Sequence, residues 1–188
     1  SREDLAREAF IEQQRPLGRV IIPPYDHPHI IAGQGTAAHE LLQEQPQLDC
    51  LIAPLGGGGL LSGTAIAAKA MGVPKVYGVE PELAAEGQAS FRTGKRQPAM
   101  PPLSVCDGLL TSLGDHTFPL IQQHVDDILL VSDAEALAAQ QLIFRLTEQL
   151  IEPSSATVIA AIQRYPKLFK DQRIGVIISG GNCLPLES

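Results

Sequence analysis

Residues 54–63 read Pro-Leu-Gly-Gly-Gly-Gly-Leu-Leu-Ser-Gly. Four successive glycines strip every Cβ from a turn, so several backbone N–H groups can converge on one anion. The turn follows the apolar run Cys50–Pro54 and precedes a helical pattern from Leu60, which sets those amides at the positive end of a helix. A phosphate group is the guest this chemistry suits. The plain alternative is a flexible turn. Against it, ordering four glycines is entropically costly, and this run stands at the carboxyl end of a predicted strand, where open α/β sheets take their ligands. A Walker A cradle requires Gly-Lys-Ser or Gly-Lys-Thr, whereas this turn ends Gly59-Leu60-Leu61. A dinucleotide fingerprint begun at Gly56 requires a third glycine where Leu61 stands, and one begun at Gly57 meets Ser62. Glu80 ends the next predicted strand about 20 residues on, the place of a ribose-binding acid, so a dinucleotide stays as the second reading.

Other chemistry-bearing residue types are sparse. Cys50, Cys106 and Cys183 are odd in number and far apart, which builds neither a disulfide framework nor a zinc-ligand spacing and fits a reducing, cytoplasmic compartment. His27, His29, His39, His116 and His124 pair with no serine or cysteine in a nucleophile motif and read as surface histidines. Asp126-Asp127 reads as a solvated turn ahead of a strand.

The 188 residues are 44% hydrophobic and 19% charged, which suits one domain with a sizeable core. Asp plus Glu outnumber Lys plus Arg by 21 to 14, a formal charge of −7, so nothing resembles the basic footprint of a nucleic-acid binder and no nucleic-acid partner is expected. No apolar run approaches the ~18 residues of a membrane helix, and Ser1–Phe10 lacks the pattern of a signal sequence.

The elements that must position the turn alternate. A capping-box spacing at Ser1 and Asp4 opens a helix reaching Gln14, with Leu5, Ala9 and Phe10 on one face. Arg19–Ile22 predicts a brief strand stopped by Pro23 and Pro24. After a loop from Tyr25 to Ile31, Gly35 and Thr36 lead into a helix carrying Ala37, Ala38, Leu41 and Leu42. Strand 50–54, helix 60–71, strand 75–80 and helix 83–91 follow, then a surface loop over 92–105 broken by Pro98, Pro101 and Pro102. Strand 127–131 precedes a capping box at Ser132 and Glu135 and a helix over 134–150. Pro153 starts a further helix through Gln163. The apolar run Ile174–Ile178 predicts a strand covered on both faces, ending in Ser179-Gly180-Gly181-Asn182. This order predicts an α/β three-layer sandwich with a mostly parallel twisted sheet.

Six segments carry a family resemblance in order: Ile31-Ala32-Gly33-Gln34-Gly35-Thr36, the turn Gly56–Leu60, Val79-Glu80-Pro81, Asp107-Gly108, Glu152-Pro153-Ser154 and Ser179-Gly180-Gly181-Asn182. Together they resemble fold-type II pyridoxal-phosphate enzymes, and within these the threonine dehydratases and serine racemases. Related cysteine synthases carry threonines in the phosphate turn, and tryptophan synthase β chains carry serine and asparagine. Gly59-Leu60 therefore points to the dehydratase and racemase branch.

The resemblance implies that the amides of Gly56, Gly57, Gly58, Gly59 and Leu60 hold the phosphate of pyridoxal 5'-phosphate and that Ser179 meets the pyridine nitrogen. A neutral hydroxyl there leaves the nitrogen largely unprotonated, which suits β-elimination. Ser179 read blandly is a turn-forming hydroxyl at a strand end. Glu152 falls near the ring, and Tyr25 stands where relatives place a residue against the cofactor. Glu80, Ala84 and Glu86 correspond to the divalent-cation site of serine racemases, two carboxylates and a carbonyl of the kind that suits Mg²⁺ or Ca²⁺. The second acid is commonly Asp in those racemases, so Glu86 is one methylene longer; the plain reading is a solvated helix charge at Glu86 and a helix cap at Glu80.

The family's Schiff-base lysine segment, of the type Ser-x-Lys-x-Arg, is absent, as is its Asn-His turn for the substrate carboxylate. Lys69, Lys75, Lys95, Lys167 and Lys170 stand in unlike contexts. The chain opens at Ser1 with helical material, so the expectation is a C-terminal portion: residues 1–15 the terminal helix of a small lobe, 16–188 the cofactor-binding large lobe. The implied activity of the whole is dehydration of L-threonine or L-serine, with serine racemisation as alternative, by a cytoplasmic homodimer. The implied state of this chain alone is inactivity. A module of another class, binding pyridoxal phosphate or a dinucleotide without catalysis, is the competing reading.

Overall fold

The computed structural model describes residues 9–101 and 103–183. Four parallel strands, β1 (Cys50–Pro54), β2 (Lys75–Pro81), β3 (Asp127–Val131) and β4 (Ile174–Val176), form one sheet in the order β3-β2-β1-β4. Cys50 lies opposite both Lys75 and Ile174, so β1 is central and its five residues are all buried. Residues 9–14 are helical (α1); α2 (Pro28–Glu44), α3 (Gly59–Ala70), α4 (Glu86–Thr93), α5 (Thr117–His124), α6 (Asp133–Thr147) and α7 (Pro153–Arg164) follow.

The period-two alternation of strands divides the core into two faces. Leu51, Ala53 and Val76 pack with Ala38 and Leu42 of α2, Leu61 and Ala65 of α3 and Ile121 of α5. Cys50, Ile52, Tyr77 and Val79 pack on the other side with Ala139 of α6 and Ala156 and Val158 of α7. Helices on both faces of a parallel sheet make the three-layer α/β sandwich expected. Each fully buried aliphatic side chain contributes roughly 1.5–3 kcal/mol. Between α2 and α3 the backbones nearly touch: a Cβ on Gly35 would stand 2.9 Å from the Gly63 carbonyl oxygen. Ser132 and Glu135 close the capping box of α6, and Pro153 takes the first turn of α7.

Several expectations need correction. Arg19–Ile22 is irregular and not a strand, with Val20 87% and Ile22 74% exposed, because no neighbouring strand among the described residues offers its backbone a ladder. The loop thought to reach Ile31 is instead the first turn of α2, which starts at Pro28 with His27 accepting the His29 N–H. Helix 83–91 is split into a 3₁₀ turn (Glu82–Ala84) and α4. Strand Ile174–Ile178 is covered less than expected: β4 ends the described sheet, and Ile178 is exposed. Asp126 is no solvated turn residue. It binds Lys69 at 2.7 Å, Lys75 at 2.9 Å and the Val76 N–H at 2.8 Å, tying α3 to β2 and β3. The capping box at Ser1 and Asp4 lies outside the described residues.

Candidate functional site

β1 is followed by Leu55, whose N–H continues the ladder to the Val79 carbonyl, and then by the four glycines. Gly58 is the N-cap of α3 at φ +92°, a left-handed geometry that side chains resist. Each glycine also faces a different wall. A Cβ on Gly56 would lie 3.0 Å from the Gly108 carbonyl oxygen; one on Gly57 would collide with the Tyr25 ring. On Gly58 it would meet Thr117 Cβ at 2.8 Å, and on Gly59 Tyr25 Cβ at 3.0 Å. Collision therefore excludes a side chain at Gly57 and Gly58, and Gly56 and Gly59 leave a Cβ only tight contacts.

Because β4 runs parallel beside β1, the residues after both strands emerge at the same sheet edge. A cavity of about 320 Å³ opens there, lined by Gly56–Gly59, Leu60, Tyr25, Glu152 and Ser179, among others. All eight residues predicted to meet a cofactor thus stand around one cavity. Among its described lining residues none is Lys or Arg, and the positive end of the α3 dipole stands at its wall.

α7 organises the far wall. Ser155 accepts the N–H of Ser179 at 2.7 Å and of Gly180 at 3.3 Å, while Ser154 accepts that of Gly108 at 3.1 Å. Glu152 accepts the Asn182 N–H at 3.1 Å, and its own N–H donates to the Gly180 carbonyl at 3.1 Å. The sequence named Ser154 only as part of a motif and missed Ser155, which has no local signature.

Behind the opposite wall, outside the cavity lining, Asp26 accepts the N–H groups of Asp115 at 2.9 Å, His116 at 2.9 Å and Thr117 at 3.1 Å. Burial acts to raise the Asp26 carboxyl, but these N–H groups outweigh it and hold it below the usual range. Thr117 donates its hydroxyl to the Gly57 carbonyl at 2.8 Å and accepts the Gly114 N–H at 2.9 Å. Neither Asp26 nor Thr117 was foreseen, since their partners, Gly114 aside, stand far away in sequence.

Glu80, Ala84 and Glu86 lie apart from the cavity lining, at the end of β2 and the start of α4, and all three are buried. The plain reading of Glu86 as a solvated charge is thereby corrected. Glu80 accepts the N–H groups of Gly87 at 3.0 Å and Gln88 at 2.8 Å, yet burial and the nearby Glu86 charge push its carboxyl up to about 8. Glu86 Oε2 is buried with no hydrogen-bond partner. No cluster of three His, Cys, Asp or Glu side chains suited to a metal occurs among the described residues.

A family model described as "Pyridoxal-phosphate dependent enzyme" matches residues 1–180. L-threo-3-hydroxyaspartate ammonia-lyase of Pseudomonas sp is 46% identical over 167 residues, 88% of this chain and 52% of that protein. Serine racemase of Schizosaccharomyces pombe is 46% identical over 183 residues, 96% of this chain and 55% of that protein. The crystal structure of serine racemase from Dictyostelium discoideum superposes with a TM-score of 0.89 at 40% identity, covering 97% of this chain and 60% of that one. The crystal structure of a threonine deaminase from T.th. gives a TM-score of 0.89 at 39% identity, over 94% of this chain and 65% of that one. The chain spans about half the length of the curated relatives it matches.

Proposed function

Because the chain belongs to the pyridoxal-phosphate dependent enzyme family, we propose that its glycine turn holds that cofactor by the phosphate, as part of an enzyme that eliminates water from a 3-hydroxy amino acid, the resulting imine then taking up water to release ammonia and a 2-oxo acid. The observation that carries this reading is the cradle itself: four closely walled glycines, two of them where a Cβ would collide, facing Ser179 across one cavity. The residues fit the group. The amides of Gly56–Gly59 and Leu60 bind a dianion without side-chain charge, and Ser179 offers a neutral hydroxyl to the ring nitrogen. When bound, the cofactor withdraws electrons from the substrate Cα. An uncharged partner at the ring nitrogen limits that withdrawal, which favours expulsion of a β-hydroxyl over long-lived carbanion chemistry. Glu152 braces the Gly180–Asn182 turn beside Ser179, and Tyr25 covers the glycines from the side of α2.

Serine, threonine and 3-hydroxyaspartate share the reacting hydroxyl, and the named relatives act in this range by their names. Racemisation of serine is the second reading, supported by the 46% identity to a serine racemase. A non-catalytic module, or one that binds a dinucleotide, would show itself in the same assay. Cofactor binding is measured by absorbance and fluorescence titration, followed by 2-oxo acid release from each amino acid in the protein expressed from its full coding sequence. Saturable binding displaced by inorganic phosphate, with 2-oxo acid formed, is expected. Binding insensitive to phosphate, or tight NAD binding without competition, would end the reading.

The described cavity lining contains no lysine, and Lys69 and Lys75 are engaged by Asp126. The 188-residue chain alone is accordingly proposed to bind cofactor without turnover, with residues 1–15 belonging to a small lobe and 16–188 to the large one. We also propose that Glu80, the Ala84 carbonyl and Glu86 hold Mg²⁺ or Ca²⁺; what supports this is the partnerless buried Glu86 oxygen beside a second carboxylate. A cytoplasmic homodimer belongs to the same proposal, supported by free cysteines and by the apolar cleft between α2, α3 and α5. Among the described residues no helix is long and apolar enough to cross a membrane.

A further inference from the structure

A turn of four glycines has no stiffness of its own, because glycine restricts the backbone less than any other residue. Its amides converge only if neighbouring groups fix them. Gly56 leans on Gly108 and Leu109, which Ser154 holds through the Gly108 N–H. The remaining three glycines are walled by Tyr25, at Gly57 and Gly59, and by Thr117, at Gly58. These two walls belong to segments about 90 residues apart, the loop before α2 and the start of α5, so something must set their separation.

Asp26 does so. Its carboxylate, next in sequence to Tyr25, takes three successive N–H groups ending at that of Thr117. Gly114 leaves room for it, since a Cβ there would collide with the Asp26 side chain. Thr117 then reaches the turn directly. Its fully buried hydroxyl donates to the Gly57 carbonyl, and its own carbonyl lies 3.4 Å from the Ser62 hydroxyl on the first turn of α3. With the Gly57 carbonyl held from the protein interior, the peptide between Gly57 and Gly58 cannot rotate freely.

Resting on the phosphate-cup reading above, we infer that Asp26 and Thr117 are positioning residues for the cofactor phosphate: Asp26 locks the Tyr25 wall to α5, and Thr117 sets the Gly57–Gly58 peptide, so that the cup is formed before the phosphate enters. A preformed cup binds more tightly because binding no longer has to order the turn. The effect is confined to the phosphate end of the cofactor. Neither residue lines the cavity, so neither touches the ligand.

The test uses the protein expressed from its full coding sequence and compares affinities for pyridoxal phosphate and for pyridoxal, which lacks the phosphate. The ratio of the two isolates the cup. In Thr117→Val, of similar shape but without the hydroxyl, the ratio is expected to fall tenfold or more, and Thr117→Ser is expected to restore it. Asp26→Ala should lower the ratio as well, with Asp26→Asn, which keeps one acceptor, in between. Should Thr117→Val fail to fold, the Asp26→Asn ratio decides. Unchanged ratios in the folded variants, or equal weakening of both ligands, would overturn the positioning role. A ratio near one in the unaltered protein would instead overturn the phosphate-cup reading on which it rests.

Discussion

The hydroxyl of Ser155, on the first turn of α7, accepts the backbone N–H of Ser179 at 2.7 Å across 24 residues of sequence. A fully buried side chain thus fixes the one residue whose hydroxyl would meet the cofactor nitrogen. Replacing it by alanine takes this acceptor from the N–H of the exposed Ser179, which costs about 0.5–1.5 kcal/mol. Ser155→Ala should lower the urea midpoint accordingly and shift the fluorescence of bound cofactor in the same direction as Ser179→Ala. An unshifted emission would separate Ser155 from the site.

The glycines allow a comparison of strain with collision. Gly72 has φ +86° and open space around its Cβ position, so Gly72→Ala bears only the left-handed penalty of roughly 1–2 kcal/mol. Gly58→Ala bears a similar penalty and also meets Thr117 Cβ at 2.8 Å. Cofactor affinity should survive the first change and fall by at least tenfold in the second. Calorimetric titration of both variants checks this, and equal affinities would mean that the turn does not grip the phosphate.

Asp126 predicts an acid limb. Burial acts to raise its carboxyl, while Lys69, Lys75 and the Val76 N–H more than offset this and hold it below the usual value. A carboxyl lowered in the folded state contributes stability that is complete above its unfolded pKa of about 4 and disappears as pH falls through the folded value. Asp126→Asn should therefore cost about 1–3 kcal/mol at neutral pH. The gap to the unaltered protein should narrow only below about pH 4. Chemical unfolding at pH 7 and pH 3 measures it; a gap of constant size would contradict the linkage.

At the Glu80 and Glu86 pair, bound Ca²⁺ or Mg²⁺ would relieve two buried carboxylates and use the idle Glu86 oxygen. Millimolar Ca²⁺ is expected to raise the thermal midpoint by a few degrees, and Glu86→Gln to remove that rise. Identical midpoints with Ca²⁺ and with a chelator would reject the cation.

Local pattern made much of this protein legible. The apolar run ending at Pro54 and the glycines after it announced a strand, a turn and a helix start, because period and Cβ loss act within a few residues. Ser132 with Glu135, and Pro153, marked the starts of α6 and α7 for the same reason. Boundaries failed where a local signal was ambiguous: Pro28 opens a helix in a stretch that reads equally well as loop, and Arg19–Ile22 has strand composition but no partner strand among the described residues.

The composition and ordered motifs by themselves determined the fold class, the glycine turn and the set of residues expected around it. Only the tertiary structure decided what holds that set in place. Asp26 meets Thr117 across 91 residues, Thr117 meets Gly57 across 60, and Asp126 joins Lys69 across 57. No periodicity encodes such pairings. They arise when parallel strands bring distant segments together at either end of the sheet, where a polar group taken from water must find a partner or bear the cost of desolvation.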